Sequence, residues 1–211
     1  SDVSHQTNTP VCNLQLYAQL LEEQPLTPQA QHCVQAIRGQ SRKLQTLIEA
    51  LVKTSRLETG ILALHPRTEA LAPMVERAAA QYAPKAAEKG LTLTVQTLDG
   101  QAVFDPKWTE EAVCNLLDNA VKYTPSGGTV SIEIRNFELF SAIRVFDTGP
   151  GIQEAEQTNI FGRFYRGSEA YQAEGVGIGL YLTRQILEQE GGYVKVKSAP
   201  GQGSVFSIFL P

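Results

Sequence analysis

Val34, Ile37, Ser41, Leu44, Ile48, Leu51 and Ser55 step three and four residues apart without a break. No other stretch restricts the fold as much. Such a repeat returns every seven residues and keeps one stripe of a helix turned toward a partner along its whole length. It predicts a helix from about Gln29 to Glu58. Upstream, Val11, Leu14, Ala18 and Leu21 follow a 3-4-3 spacing, the apolar stripe of an earlier helix. Between them lies Glu22-Glu23-Gln24-Pro25-Leu26-Thr27-Pro28. Proline lacks the N–H donor and clashes with the preceding turn, so two of them in four residues mark a turn. Residues 1–60 therefore read as a helical hairpin. Two helices bury too little apolar surface to stand alone, so the seam predicts a homodimer whose two hairpins form a four-helix bundle. The other partner open to the seam is the chain's own C-terminal domain. Reflection about the turn near residue 26 sets His5 opposite about Ile48 and leaves the second helix beyond about Val52 without a first-helix neighbour.

Gly60 ends the helical run, which places a domain boundary near residues 59–66 and a second domain over 61–211. Ile61–Leu64 reads as a short strand. A helix from about Thr68 to Glu88 carries Leu71, Met74, Val75, Ala78 and Tyr82 and stops at Gly90. Leu91–Val95 and Ala102–Phe104 read as short strands. Asp105-Pro106 is a capping carboxylate followed by proline, and it opens a helix to about Tyr123. Thr129–Arg135 and Phe140–Asp147 alternate in strand fashion. A loop of some two dozen residues follows, longer than a compact domain carries without a functional reason. A helix at about Gly177–Glu190 and strands at about Tyr193–Ser198 and Val205–Leu210 close the chain. The order predicts an α+β fold, a helical hairpin followed by an α/β sandwich with helices on one face of a mixed sheet.

Composition narrows the function classes. A net charge of −4 across 211 residues gives no electrostatic reason to expect nucleic acid or an anionic membrane as partner. No apolar run approaches the roughly 20 residues that span a bilayer, and no signal peptide opens the chain. A cytoplasmic location is expected, and a membrane part of any longer protein would lie outside these residues. Cys12, Cys33 and Cys114 show no metal-ligand spacing and read as free thiols that pack as small apolar residues.

The chemistry concentrates on the helix from Asp105. Val113, Leu116, Leu117 and Ala120 share one side and read as core. Glu111, Asn115, Asn119 and Lys122 fall within about 80° of each other on the opposite side, at 100° per residue. Asparagine is a poor helix-interior residue, because its amide competes with the backbone. Two of them a turn apart point to a phosphate and Mg²⁺ site, where an amide oxygen is a hard ligand. A solvated polar face is the alternative. Asp147-Thr148-Gly149-Pro150-Gly151 ends a strand, and its carboxylate can accept a hydrogen bond from an amino group such as that of adenine. Gly175-Val176-Gly177-Ile178-Gly179-Leu180 leads straight into a helix, whose N-terminus favours phosphate. It follows no strand of a βαβ unit, so a dinucleotide fingerprint fits poorly. Ile160-Phe161-Gly162-Arg163-Phe164-Tyr165-Arg166 lies in the loop between the glycine runs, where aromatics can anchor a lid and arginines can reach phosphate. A packed loop would use the same aromatics.

These segments, with Asn115–Thr124 as asparagine box, DTGPG and GVGIGL as glycine boxes, IFGRFYRG as phenylalanine box and Gly201-Gln202-Gly203-Ser204 as terminal glycine pair, resemble those of sensor histidine kinases, in the same order. Ser4-His5 through Pro10 resembles the histidine box, so the likeness covers essentially the whole chain. It implies a dimerisation and histidine phosphotransfer domain over 1–60 and a Bergerat-type ATPase domain over 61–211, with a lid at about 152–176. It also implies that Asn115 ligates Mg²⁺ while Asn119 and Lys122 contact phosphate. Tyr123 would line the ATP pocket and Asp147 would bind the adenine amine. Gly149 and Gly151 would shape the adenine end, and Gly175, Gly177 and Gly179 the phosphate end. Ile152, Phe161, Arg163, Arg166 and Leu180 complete the implied nucleotide set.

The reaction so implied moves the γ-phosphoryl of ATP onto a ring nitrogen of His5 and then onto an aspartate of a response regulator. The family usually places an acidic residue directly after the histidine; here it is Gln6, which can accept the ring N–H but brings no charge. Thr9, one turn after His5, sits where the family positions a water for dephosphorylating the regulator. Pro10 should kink the helix beside the site. Two other readings stay open at this stage. One is a kinase-weak ATP-binding phosphatase or scaffold, favoured by Gln6. The other is a gyrase-like or chaperone-like ATPase, in which Glu111 would activate water.

Overall fold

The computed structural model describes residues 2–61, 63–96, 99–167 and 175–211, with residues 2–8 followed by their backbone alone. Its chain divides into two compact units, 1–59 and 60–211.

The first unit is a hairpin of α1 (Asp2–Glu22) and α2 (Pro28–Glu58). Thr27 caps α2 with its hydroxyl, which accepts from the Ala30 N–H at 3.3 Å, and Pro28 occupies the first turn. Helix α1 runs without interruption through Pro10. Each predicted stripe splits into two lines of seven-residue spacing. Val11 and Ala18 of α1 and Val34 and Ser41 of α2 are buried. The companion lines, Leu14 and Leu21 of α1 and Ile37, Leu44 and Leu51 of α2, stay 40–48% exposed. The hairpin uses one line from each helix and leaves the other facing outward.

Two polar bridges set the register. Gln15 Nε2 donates to Gln45 Oε1 at 2.8 Å, and the Arg38 guanidinium donates to Glu22. Both pairs are symmetric about residue 30, not residue 26. The α1 residue level with Ser55 is therefore about residue 5, and the expected pairing of His5 with Ile48 is corrected. The turns of α2 beyond Val52 consequently do run beside α1. The link is extended at Thr27 (φ −66°, ψ 153°), which lets the first turns of α2 pass beyond the end of α1.

The second unit contains β1 (Arg67–Ala70), α3 (Leu71–Glu88), β2 (Thr92–Gln96), β3 (Gln101–Phe104), α4 (Pro106–Tyr123), β4 (Thr129–Asn136) and β5 (Ser141–Asp147). After them come the single turn α5 (Glu154–Gln157), a 3₁₀ turn (Asn159–Phe161), α6 (Gly179–Gln189), β6 (Tyr193–Ser198) and β7 (Ser204–Leu210). Five strands form one mixed sheet in the order β2-β4-β5-β7-β6, with β2 and β4 parallel and the other neighbours antiparallel. Helices α3, α4 and α6 pack on one face. There Ile132 sits opposite Val145, and Ile143 opposite Ile208. These four residues and Leu116, Leu117, Ile186 and Leu187 are fully buried.

Three expected boundaries fail. Residues 61, 63 and 64 are not in a strand; the strand lies at Arg67–Ala70, and α3 begins at Leu71 instead of Thr68. Pairing decides this, because Arg67 sits opposite Phe104 and Ala70 opposite Gln101 in an antiparallel ladder. Four residues reading Arg-Thr-Glu-Ala carry no periodicity that could announce it. The last helix starts at Gly179, two residues later than expected.

Candidate functional site

Asp105 opens α4 by accepting on Oδ1 from the N–H groups of Lys107 (3.0 Å) and Trp108 (3.2 Å). The helix then buries Val113, Leu116, Leu117 and Ala120 under the sheet, while Glu111, Asn115, Asn119 and Lys122 are half-buried. The polar face is thus not a simple solvated face.

Asn115 Nδ2 donates to the Gly179 carbonyl at 3.2 Å and to Thr183 Oγ1 at 3.4 Å. Among the described residues Oδ1 receives no donor, so the hard amide oxygen is left for a ligand. About two helical turns further on, Lys122 Nζ donates to Tyr123 Oη at 3.0 Å and lies 4.6 Å from the Tyr123 ring centre. A Cβ on Gly175 would stand 2.5 Å from that same Nζ. The asparagine face therefore meets both ends of the second glycine run. Asn119 is half-buried on this face, and its side chain makes no hydrogen bond among the described residues.

Asp147 ends β5. Its Oδ1 accepts from the Gly149 N–H at 2.9 Å. Burial pushes the carboxyl above its ordinary range, opposed by hydrogen bonds from Gly149 and from the Ser204 backbone and hydroxyl. Gly203 lies at φ +74°, and a Cβ there would come within 1.9 Å of the Asp147 carbonyl oxygen. The terminal glycine pair thus lets the last turn close directly over the Asp147 backbone. Gly149 adjoins the Asp147 carboxylate, and Gly151 adjoins the Ala199 carbonyl.

The loop segment reaches the second glycine run as well. Gly177 has φ +75°, and a Cβ on it would lie 2.6 Å from the Tyr165 carbonyl oxygen. Phe161 is buried, its ring edge-on to Phe206 at 6.5 Å. The Ile152 N–H donates to Ser198 Oγ at 2.8 Å. Arg163 is exposed and places its guanidinium 4.9 Å from the Tyr181 ring centre, while Arg166 and Leu180 are half-buried. Residues 168–174 of the expected lid lie outside the described residues, as do the side chains of His5 and Gln6. Thr9 is exposed on α1.

Glu111 borders a groove of about 570 Å³ between α3 and α4, with Arg77, Gln81, Tyr82 and Cys114. Burial raises the Cys114 thiol to about 11, whereas Cys12 and Cys33 are exposed, contrary to the expectation that they pack. Among the described residues no helix is long and apolar enough to cross a membrane.

Sequence reasoning missed three participants. Thr183 holds Asn115, and Thr109 with Glu190 ties the start of α4 to the end of α6. Their signal was visible: Thr183 and Glu190 occupy the apolar spacing set by Leu182, Ile186 and Leu187, where a polar side chain requires a partner.

Residues 104–211 match the family described as "Histidine kinase-, DNA gyrase B-, and HSP90-like ATPase", and residues 1–60 match the "His Kinase A (phospho-acceptor) domain". The chain is similar to Sensor protein kinase PmrB of Pseudomonas aeruginosa, 32% identical over 213 residues, which takes in 100% of this chain and 44% of that protein. It is also similar to Circadian input-output histidine kinase CikA of Synechococcus elongatus, 33% identical over 218 residues, 99% of this chain and 29% of that protein. The chain thus spans less than half the length of these curated relatives. Among solved structures, full-length ShkA in complex with AMPPNP matches with a TM-score of 0.82 at 26% identity, covering 99% of this chain and 44% of that one.

Proposed function

This chain belongs to the sensor histidine kinase family of two-component systems, and from that premise we propose that it uses ATP to phosphorylate His5 and passes the phosphoryl group to an aspartate of a response regulator. Residues 1–60 serve as the dimerisation and phosphotransfer hairpin. Residues 61–211 serve as the ATP-binding domain, with about 152–176 as its lid. The observation that carries the reading is the double meeting of α4 with the second glycine run, Asn115 at Gly179 and Lys122 at Gly175. It sets an ammonium and the N–H groups of a helix N-terminus, donors suited to a triphosphate, beside an amide oxygen suited to its Mg²⁺.

Asp147 accepts the adenine amino group, with Gly149, Gly151 and Ile152 bordering the base and Tyr123 lining the pocket. Asn119, Lys122 and the N–H groups of Gly175, Gly177 and Gly179 take phosphate oxygens. Phe161 anchors the lid, Leu180 packs at its hinge, and Arg163 and Arg166 add positive charge. The fit to Mg²⁺ rests on the Asn115 amide, whose nitrogen is already engaged and whose oxygen is available. Mg²⁺ held there would neutralise charge on the transferring phosphoryl group.

At neutral pH most of an ordinary imidazole is unprotonated and nucleophilic. A His5 ring nitrogen attacks the γ-phosphorus, the bond to the bridging oxygen breaks, and ADP leaves. Gln6 accepts the N–H on the other ring nitrogen and fixes the tautomer. A regulator carboxylate then attacks phosphorus and breaks the P–N bond. The regulator and ATP place this chemistry in the cytoplasm. Thr9, exposed on α1, favours a second activity, dephosphorylation of the regulator.

The test is incubation with γ-labelled ATP. Acid-labile, base-stable label should appear on the wild-type chain and vanish in His5→Ala, which still binds nucleotide. Asn115→Ala should lose both label and Mg²⁺-dependent binding. Label that persists in His5→Ala overturns the reading.

A further inference from the structure

Helices α4 and α6 run antiparallel and are joined by a seam of polar contacts. At one end Asn115 Nδ2 donates to the Gly179 carbonyl. In the middle the buried Thr183 hydroxyl donates to the Ala112 carbonyl at 3.5 Å. At the other end stands Glu190, at the C-terminal cap of α6 and 5% exposed. Glu190 Oε1 accepts from the Asp105 N–H at 2.9 Å and from the Thr109 hydroxyl at 2.8 Å; that hydroxyl also lies 2.9 Å from Oε2. Asp105 itself caps α4 and accepts on Oδ2 from the His65 N–H at 2.9 Å. One buried joint therefore fixes the segment entering the second unit, the first turn of α4 and the last turn of α6.

We propose that Glu190 is a positioning residue for the nucleotide site, its carboxyl holding the far end of α6 against α4 and so setting where Gly179 lies relative to Asn115. The inference rests on the ATP-site reading above. Helix α6 has eleven residues, about 16 Å, so a displacement at that joint is carried along a rigid rod to Gly179 at its other end. A carboxylate buried at this joint has to lose its water and faces a second carboxylate, Asp105. His65 contributes only its backbone N–H, and its ring is exposed. Burial, with Asp105 adding to it, raises Glu190 to about 7, while the hydrogen bonds from Asp105 N–H and Thr109 pull the other way. The joint is tightest with the proton on, when Oε1 still accepts from the Asp105 N–H and the Thr109 hydroxyl and no second charge stands beside Asp105. Ionisation as pH rises through about 7 puts two buried carboxylates side by side and loosens the end of α6.

Glu190→Gln keeps the side chain neutral at every pH, with an amide oxygen in the place of Oε1 to accept from the Asp105 N–H and the Thr109 hydroxyl. The experiment measures binding of Mg²⁺–AMPPNP to the whole chain by calorimetry at pH 6 and pH 8. The ratio of wild-type to Glu190→Gln Kd removes the titration of the nucleotide itself. That ratio is expected to rise at least threefold from pH 6 to pH 8. Thr109→Val, which removes a donor that favours the ionised form, is expected to shift the midpoint of the profile to higher pH. A merely structural role would lower thermal stability and leave the ratio flat. A flat ratio with intact nucleotide binding overturns this inference alone. No nucleotide binding by the wild-type chain at either pH brings down the ATP-site reading and this inference with it.

Discussion

Replacing Leu44 tests what the outward line of the α2 seam is for. Leu44 is 43% exposed in the single chain, midway between Ile37 and Leu51 on the same line. Fully burying a leucine side chain is worth about 1.5–3 kcal/mol. The exposed share of Leu44 accounts for about 1 kcal/mol of that. A two-fold dimer counts it once per protomer, so about 2 kcal/mol of association energy depends on this one position, roughly 30-fold in the dimer Kd. Leu44→Ala keeps the Cβ and should weaken the dimer about tenfold. Leu44→Asp also strands two carboxylates in an apolar seam and should leave the chain monomeric at micromolar concentration. Gln35→Asp, an exposed position on the opposite side of α2, should change nothing. Sedimentation equilibrium over a micromolar concentration series reads all four chains, with helix content by circular dichroism confirming that each hairpin is folded. A Leu44→Asp chain that associates as tightly as wild type would refute the assignment of this line to a dimer interface.

Gly177→Ala places a Cβ 2.6 Å from the Tyr165 carbonyl at a left-handed φ of +75°. The left-handed backbone alone costs about 1–2 kcal/mol, so AMPPNP affinity by calorimetry should fall about tenfold; unchanged affinity would separate this run from the site. Gln6→Glu restores a negative charge beside the phosphoryl acceptor and should speed labelling of His5 severalfold in a time course with γ-labelled ATP. An equal rate would remove the charge argument. Thr9→Ala should slow loss of label from a phosphorylated regulator while leaving labelling of His5 intact, and dephosphorylation at the wild-type rate would withdraw the second activity.

Much of the fold was legible because periodicity is local. The heptad line of α2, the cap at Asp105 and the alternation through Val130, Ile132 and Ile134 each follow from side chains within a few residues, and all three elements form where the patterns place them. β1 was not legible, because Arg67–Ala70 becomes a strand only by pairing with Gln101–Phe104, some thirty residues away in sequence. The hairpin register was missed for a related reason: counting from the turn assumes symmetric helix ends, while the Gln15–Gln45 and Glu22–Arg38 bridges fix a different centre.

The sequence by itself determined which residues could serve an ATP site, because the chemistry of an amide oxygen, an ammonium, a carboxylate and flexible glycines is carried by the residues whatever their fold. Only the tertiary structure decided which of them meet. Asn115 and Gly179, Lys122 and Gly175, and Asp147 and Gly203 lie between about 50 and 65 residues apart along the chain, and no local rule links them. The sheet and its three helices bring them together, because burying Leu116, Leu117, Ile186 and Leu187 against the strands forces α4 beside α6. The same packing placed Glu190 beside Asp105, two carboxylates that the sequence separates by eighty-five residues.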